Sequence, residues 1–113
     1  MRVAVAGLGW WGKQIISCLD KSSRFEVLYG IDPKPPSDID EFRKSYSFTL
    51  EPSLDKALAD PAVEGAILAT PHALHEEQAL KVIAAGKSLF CEKPLTMTGA
   101  GARRVVEASR QAG

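Results

Sequence analysis

Metal-ligand chemistry has little to work with in this sequence. Its 113 residues contain two cysteines, Cys18 and Cys91, and two histidines, His72 and His75. The cysteines are isolated and lack any CxxC or Cys/His spacing, which excludes the common zinc arrangements and reads as reduced thiols of a cytoplasmic protein. The histidines lie three apart within one helical turn. No third ligand follows at a recognisable spacing, so no metal site is expected, and cap or surface roles stand for both. An excess of charge of one sign is lacking too, because fourteen Lys and Arg cancel fourteen Asp and Glu. That excludes a broad electrostatic footprint for nucleic acid or a membrane surface, although local basic groups can still hold a small anion. Long apolar runs are missing, so no membrane span is expected. The opening MRVAVAGLGWWG meets glycine after only a few apolar residues, too soon for a secretory h-region. Repeats and low-complexity tracts are absent. What remains, 45% hydrophobic and 25% charged residues over the usual length of one domain, is an ordinary globular composition with one core.

Periodicity alternates between the two regular forms. Residues 2–6, RVAVA, are a short buried strand that runs straight into glycine. From about Gly9 to Leu19 the pattern is helical, with Trp11, Ile15 and Leu19 at every fourth position and Ile16 beside them. RFEVLYGID returns to period two and puts Phe25, Val27, Tyr29 and Ile31 on one face. The prolines of DPKPPSD, 32–38, forbid regular pairing there. Ser37 is the expected N-cap of a helix carrying Ile39, Phe42 and Tyr46, and Ser53 that of a shorter one, LDKALAD, closed by Pro61.

VEGAILA, 63–69, is a third strand; Thr70 then caps, and Pro71 opens a helix running to Gly86, a natural C′ residue. KSLFC, 87–91, is a fourth strand, and a last helix begins near Thr98, weakened by Gly99 and Gly101. Near-continuous apolar strands alternating with amphipathic helices mean a parallel sheet covered on both faces, with right-handed crossovers. The expected class is α/β: a doubly wound Rossmann sheet of order 3-2-1-4, truncated after its fourth strand, as one domain over residues 1–113. That order sets the fourth strand beside the first.

GLGWWG places Gly7, Gly9 and Gly12 in a G-x-G-x-x-G pattern. Alone the match is weak, since glycine-rich turns follow many strands. Its context is more specific: a strand precedes it, a helix follows, and Asp32 ends the next strand 32 − 12 = 20 residues after the third glycine. That is the offset of a carboxylate that binds a dinucleotide's ribose. Gly7 permits the tight turn, Gly9 lets a pyrophosphate approach the backbone, and Gly12 lets helix and strand pack closely. Backbone amides of the turn, those of Leu8, Trp10 and Trp11 included, would face the phosphates together with the positive end of the helix dipole. The two indoles themselves read as packing residues. A structural turn with an unrelated loop aspartate is the plainer alternative. Asp32 would accept both ribose hydroxyls and repel a 2′-phosphate, which favours NAD, while Lys34 softens the repulsion and keeps NADP open.

Thr70-Pro71 stands at the carboxyl end of the third strand, along the edge where open α/β sheets bind ligands. Glu92-Lys93-Pro94 follows the fourth strand. By composition alone it is a surface turn, since lysines are mostly solvated. At the end of a strand bordering the glycine loop, however, the Lys93 amine would stand beside a nicotinamide, where desolvation or a cationic neighbour prepares it for proton transfer.

Taken together, GLGWWG, ATPHALHEEQALKVIAAGK and LFCEKPLT resemble the N-terminal half of the Gfo/Idh/MocA oxidoreductases, relatives of glucose–fructose oxidoreductase and inositol dehydrogenase. The likeness covers nearly the whole chain. It implies an NAD- or NADP-dependent dehydrogenase that moves a hydride between nicotinamide and a carbinol carbon of a sugar, cyclitol or small diol. It also implies roles: Gly7, Gly9 and Gly12 at the pyrophosphate and Asp32 at the adenosine ribose. Thr70, Pro71 and His75 would line the nicotinamide side with His72 beside them, Glu92 would lie near the nicotinamide ribose, and Pro94 would fix the bend. Lys93 would be the catalytic residue.

Members of that family carry a second α/β domain with the substrate pocket, which has no counterpart here. The chain is therefore expected to be an excised or truncated N-terminal domain that binds cofactor and turns over little or nothing. A dinucleotide-sensing module without chemistry is the alternative, and the Lys93 amine speaks against it. Leu89 and Phe90 would be left on an edge strand, which a second copy of the chain is expected to cover.

Overall fold

Alternating valine and alanine make the first strand, β1 (Arg2–Ala6), thin on one face and bulky on the other. Ala4 and Ala6 belong to one apolar cluster and Val5 to a second. A strand buried on both faces has to be central in its sheet. The computed structural model, which describes residues 1–70 and 74–91 together with Glu107 and Arg110, places it there. The other strands are β2 (Glu26–Ile31), β3 (Thr49–Glu51), β4 (Gly65–Leu68) and β5 (Ser88–Cys91), in the order β3-β2-β1-β4-β5 with every neighbour parallel. Helices α1 (Trp10–Asp20) and α2 (Ile39–Ser45) pack Ile16 and Ile39 with Val5, Leu8 and Phe48. Helices α3 (Leu54–Ala59) and α4 (His75–Ala84) pack Leu54, Ala57, Leu58, Ala79 and Val82 against the alanine face. The sheet is doubly wound, as expected. None of the described helices is long and apolar enough to cross a membrane.

The order 3-2-1-4 holds once Thr49–Glu51 is counted as the third strand, and a fifth strand extends it. Two placements therefore change. Segment 63–69, expected outside β2, contains β4 and pairs with β1, and 87–91, expected beside β1, contains β5 and lies one place further out, against β4. A strand of three residues that follows a proline-rich loop is too short to show a period.

Strand β2 departs from simple alternation as well. It pairs Val3 with Val27 and then, after a register shift, Ala4 with Tyr29 and Ala6 with Ile31, leaving Leu28 as the extra residue. Val27 consequently packs with the Val5 cluster, whereas Leu28, Tyr29 and Ile31 pack with the alanine cluster. The single face expected of Phe25, Val27, Tyr29 and Ile31 is broken at that point.

Helix starts also differ from the sequence signals. Asp38, not Ser37, is the N-cap of α2, and its carboxylate accepts from Lys13 Nζ at 2.7 Å instead of capping. Ser53 stands at the N-cap of α3 without a side-chain cap bond. Helix α4 begins at His75 with Leu74 as N-cap, and the Thr70 hydroxyl donates to Gln78 Oε1 at 2.5 Å. The far end of α4 follows expectation. Gly86 takes φ +73° and donates to the Ile83 carbonyl, and Lys87 N–H donates to that of Val82, which together close a Schellman turn. Pro71, His72, Glu92, Lys93, Pro94 and the helix expected near Thr98 lie outside the described residues.

Candidate functional site

The chain leaves β1 toward β2 and β3 on one side, and β4 and β5 extend the sheet on the other. Helices diverge to opposite faces at such a reversal and leave a crevice at the carboxyl ends of the strands. A cleft of about 1190 Å³ lies there, lined by Ala6, Gly7, Gly9, Asp32 and Thr70 among others. Its size is somewhat above the range of roughly 300–1,000 Å³ usual for ligand pockets.

The three glycines do different work. Gly7 sits at φ +93°, and a Cβ there would lie 2.5 Å from the Ala69 carbonyl oxygen, so the turn closes only without a side chain. Its N–H donates to the Ile31 carbonyl at 2.7 Å, tying turn to β2. A Cβ on Gly12 would overlap the Gly7 carbonyl, because α1 packs directly on the turn. Gly9 is the exception. None of the described residues lies within 4 Å of where its Cβ would be, and it faces the cleft. As N-cap of α1 it offers no capping side chain, and the first turn carries no acidic residue. The first amides of a helix have no partner within it, so this end is left to an external anion, with the helix dipole in its favour.

Asp32 stands beside the turn. Oδ2 accepts the Leu8 N–H at 3.1 Å, and Oδ1 accepts the Lys34 N–H at 2.9 Å. A carboxylate has about four acceptor positions, so each oxygen keeps one for a hydroxyl in the cleft. The Leu8 amide, expected at a phosphate, is instead spent on holding this carboxylate.

Trp10 and Trp11 are not packing residues. They are 69% and 48% exposed and stack on each other, with ring centroids 5.6 Å apart. The buried face of α1 is set by Gly12 and Ile16, with Ile15 and Leu19 partly buried, and positions 10 and 11 rotate off it.

His75 is neither on the surface nor in the cleft. It is fully buried behind Thr70, and Nε2 donates to the Thr70 carbonyl oxygen at 2.8 Å. Among the described residues no three His, Cys, Asp or Glu side chains come together as metal ligands would.

The structure thus brings Gly7, Gly9, Asp32 and Thr70 to one cleft, with Gly12 beneath the turn and the indoles outside it. Part of the cleft lining went unread in the sequence, namely Pro52, Ser53, Asp55, Gln78 and Lys81. Lys81 Nζ there bridges α3 and α4 through Asp55 at 3.3 Å, with Glu77 at 3.6 Å. Recognising β3 would have located Pro52, Ser53 and Asp55, because they follow its carboxyl end.

A family model described as the oxidoreductase family, NAD-binding Rossmann fold (Gfo/Idh/MocA) matches residues 1–113. The inositol 2-dehydrogenase of Acidothermus cellulolyticus is 32% identical over 120 residues, taking in 100% of this chain and 33% of that protein. GenD2 from gentamicin A biosynthesis, solved in complex with NAD, aligns with a TM-score of 0.92 at 32% identity, over 100% of this chain and 32% of its own. The WlbA dehydrogenase from Bordetella pertussis, in complex with NADH and UDP-GlcNAcA, aligns at 0.88 and 28% identity, over 100% of this chain and 33% of its own. The chain spans about a third of the length of the curated relatives that it matches from end to end.

Proposed function

Because the chain belongs to the Gfo/Idh/MocA oxidoreductase family, we propose that it is the dinucleotide-binding domain of a dehydrogenase. Hydride would pass between nicotinamide and a carbinol carbon of a sugar, cyclitol or small diol. The observation that carries this reading is Gly9. No contact among the described residues explains its missing side chain, whereas a diphosphate lying on the amides of α1 would fill that space. Relatives named for inositol, and one solved with a UDP-sugar acid, support the polyol or sugar class.

Bound nicotinamide supplies the hydride chemistry. In this reading the chain's own residues hold and orient it. The turn at Gly7 and Gly9 and the start of α1 take the diphosphate, and Asp32 takes the two adenosine ribose hydroxyls, favouring NAD over NADP. Thr70, Pro71 and Glu92 border the nicotinamide side. Lys93 moves the proton at the substrate hydroxyl, and Pro94 fixes its approach. Residues 1–113 act as one domain, with the substrate pocket on a second, a division that the greater length of the relatives supports. Alone, the 113 residues bind cofactor and turn over little. Two separated cysteines suit a reducing, cytoplasmic setting.

Titration of NADH and NADPH into the purified chain tests the proposal. Trp10 and Trp11 are its two tryptophans and flank the glycine turn, so their emission is the readout. Saturable quenching, tighter for NADH, is expected. Absence of binding by both nucleotides in calorimetry would overturn the dinucleotide reading.

A further inference from the structure

Among the described residues His75 is the polar or charged side chain that is wholly removed from solvent, and nothing in the cofactor chemistry above uses it. From its place behind the cleft we infer that His75 is a positioning residue for dinucleotide binding, acting through Thr70 on the glycine turn. The inference rests on the dinucleotide reading and adds a residue that does not touch the ligand.

A chain of contacts links the imidazole to the turn. The imidazole Nε2 donates to the Thr70 carbonyl at 2.8 Å, which spans the five residues between the exit of β4 and the first turn of α4. The Thr70 hydroxyl donates to Gln78 Oε1, so both polar ends of Thr70 are fixed by α4. The preceding residue is pinned on its other side, where Ala69 N–H donates to the Ala6 carbonyl at 2.8 Å. The Ala69–Thr70 peptide, held between these two bonds, is the wall against which Gly7 turns, since a Cβ on Gly7 would meet the Ala69 carbonyl carbon at 2.7 Å and the Thr70 nitrogen at 2.9 Å.

Interiors so closely packed transmit displacement, so a shift of Thr70 moves the surface on which the turn is set. A half-buried carbonyl deprived of its donor also has reason to move toward water. The imidazole therefore governs how well the turn is preformed, and a preformed site binds more tightly.

Three variants separate positioning from general stability. Leucine fills the same space without a donor, glutamine can place an amide nitrogen where Nε2 lies, and asparagine cannot reach it. Far-UV circular dichroism confirms folding, and calorimetry gives the NADH Kd. His75→Leu is expected to weaken NADH binding roughly tenfold, as loss of one hydrogen bond implies, with His75→Gln within about threefold of the unaltered chain. His75→Asn should bind as weakly as leucine.

Folded His75→Leu with an unchanged Kd would overturn the inference. So would equal affinities of the glutamine and asparagine variants, a comparison that still decides if the leucine variant fails to fold. An unaltered chain that binds neither NADH nor NADPH would instead remove the dinucleotide reading, and this inference with it.

Discussion

The carboxylate of Asp32 accepts the backbone N–H of Leu8 at 3.1 Å, which locks the end of β2 to the glycine turn after β1. One group thus serves as an internal brace and, in the proposed function, as the ribose acceptor. Asp32→Ala should weaken NADH binding by about tenfold or more, since hydrogen bonds to charged groups are among the stronger ones. It should also raise the affinity for NADPH relative to NADH by removing the charge that repels a 2′-phosphate. Calorimetric titration of both nucleotides checks this. An unchanged ratio would remove Asp32 from ribose recognition.

Gly9 and Gly12 should separate binding from stability. A methyl on Gly9 meets open cleft, so Gly9→Ala should keep its thermal midpoint and lose NADH affinity. A methyl on Gly12 overlaps the Gly7 carbonyl. Overpacking of that kind costs on the order of 2 kcal/mol, or roughly 10 °C in Tm for a domain of this size. If Gly9→Ala binds normally, the space above α1 is not where a diphosphate lies.

Acid should destabilise the fold through three carboxylates. The hydrogen bond from Lys13 holds Asp38 below its ordinary pKa; the Tyr29 hydroxyl, then the Ala62 N–H, does so for Asp60; and the Arg2 N–H does so for Glu64. A carboxyl that ionises more readily folded than unfolded contributes stability above its unfolded pKa and loses it as pH falls through the folded value. Tm should therefore be level above about pH 5 and decline below about pH 4. At the other extreme the hydrogen bond to Asp60 raises the pKa of Tyr29. That contribution is complete below about pH 10 and is lost as pH rises through the raised value. Asp60→Asn should shallow both limbs of a Tm-against-pH curve. A variant curve parallel to that of the unaltered chain at both limbs would show that the pair is not what sets them.

Strand β5 is the outermost described strand beyond β4, and Phe90 on it is 43% exposed. Pairing of two copies along this strand would cover both its backbone and that ring. Sedimentation at high concentration should then reveal a dimer, and Phe90→Lys, a charge of the kind that blunts natural edges, should shift it toward monomer. A clean monomer at high concentration would remove the proposal.

Much of this was legible in the sequence. RVAVA followed by three spaced glycines, and Asp32 at its offset, specify a strand, a turn and a carboxylate whose juxtaposition the topology then enforces. Gly86 marked the end of α4 because only a residue at ease with positive φ closes a Schellman turn. Two things were hidden. Strand β3 is three residues long, too short for period two to declare itself, and missing it put 63–69 on the wrong side of β1 and 87–91 one position too close to it. His75 looked like half of a surface pair with His72. The usable signal was its spacing, since His75, Ala79 and Val82 lie at i, i+4 and i+7 and form the buried stripe of α4.

The slip in pairing between Val3 and Ala4 has a last implication. Without it Ala6 would face Gly30, and Asp32 would ride about 3.3 Å further along, one residue beyond the turn it now braces and facing the opposite way. With Leu28 in place, a flawless ladder and a well-aimed carboxylate are thus incompatible. An engineer who forced that residue into the pairing would blind the site, whereas one who excised it would mend the ladder and leave the carboxylate on target.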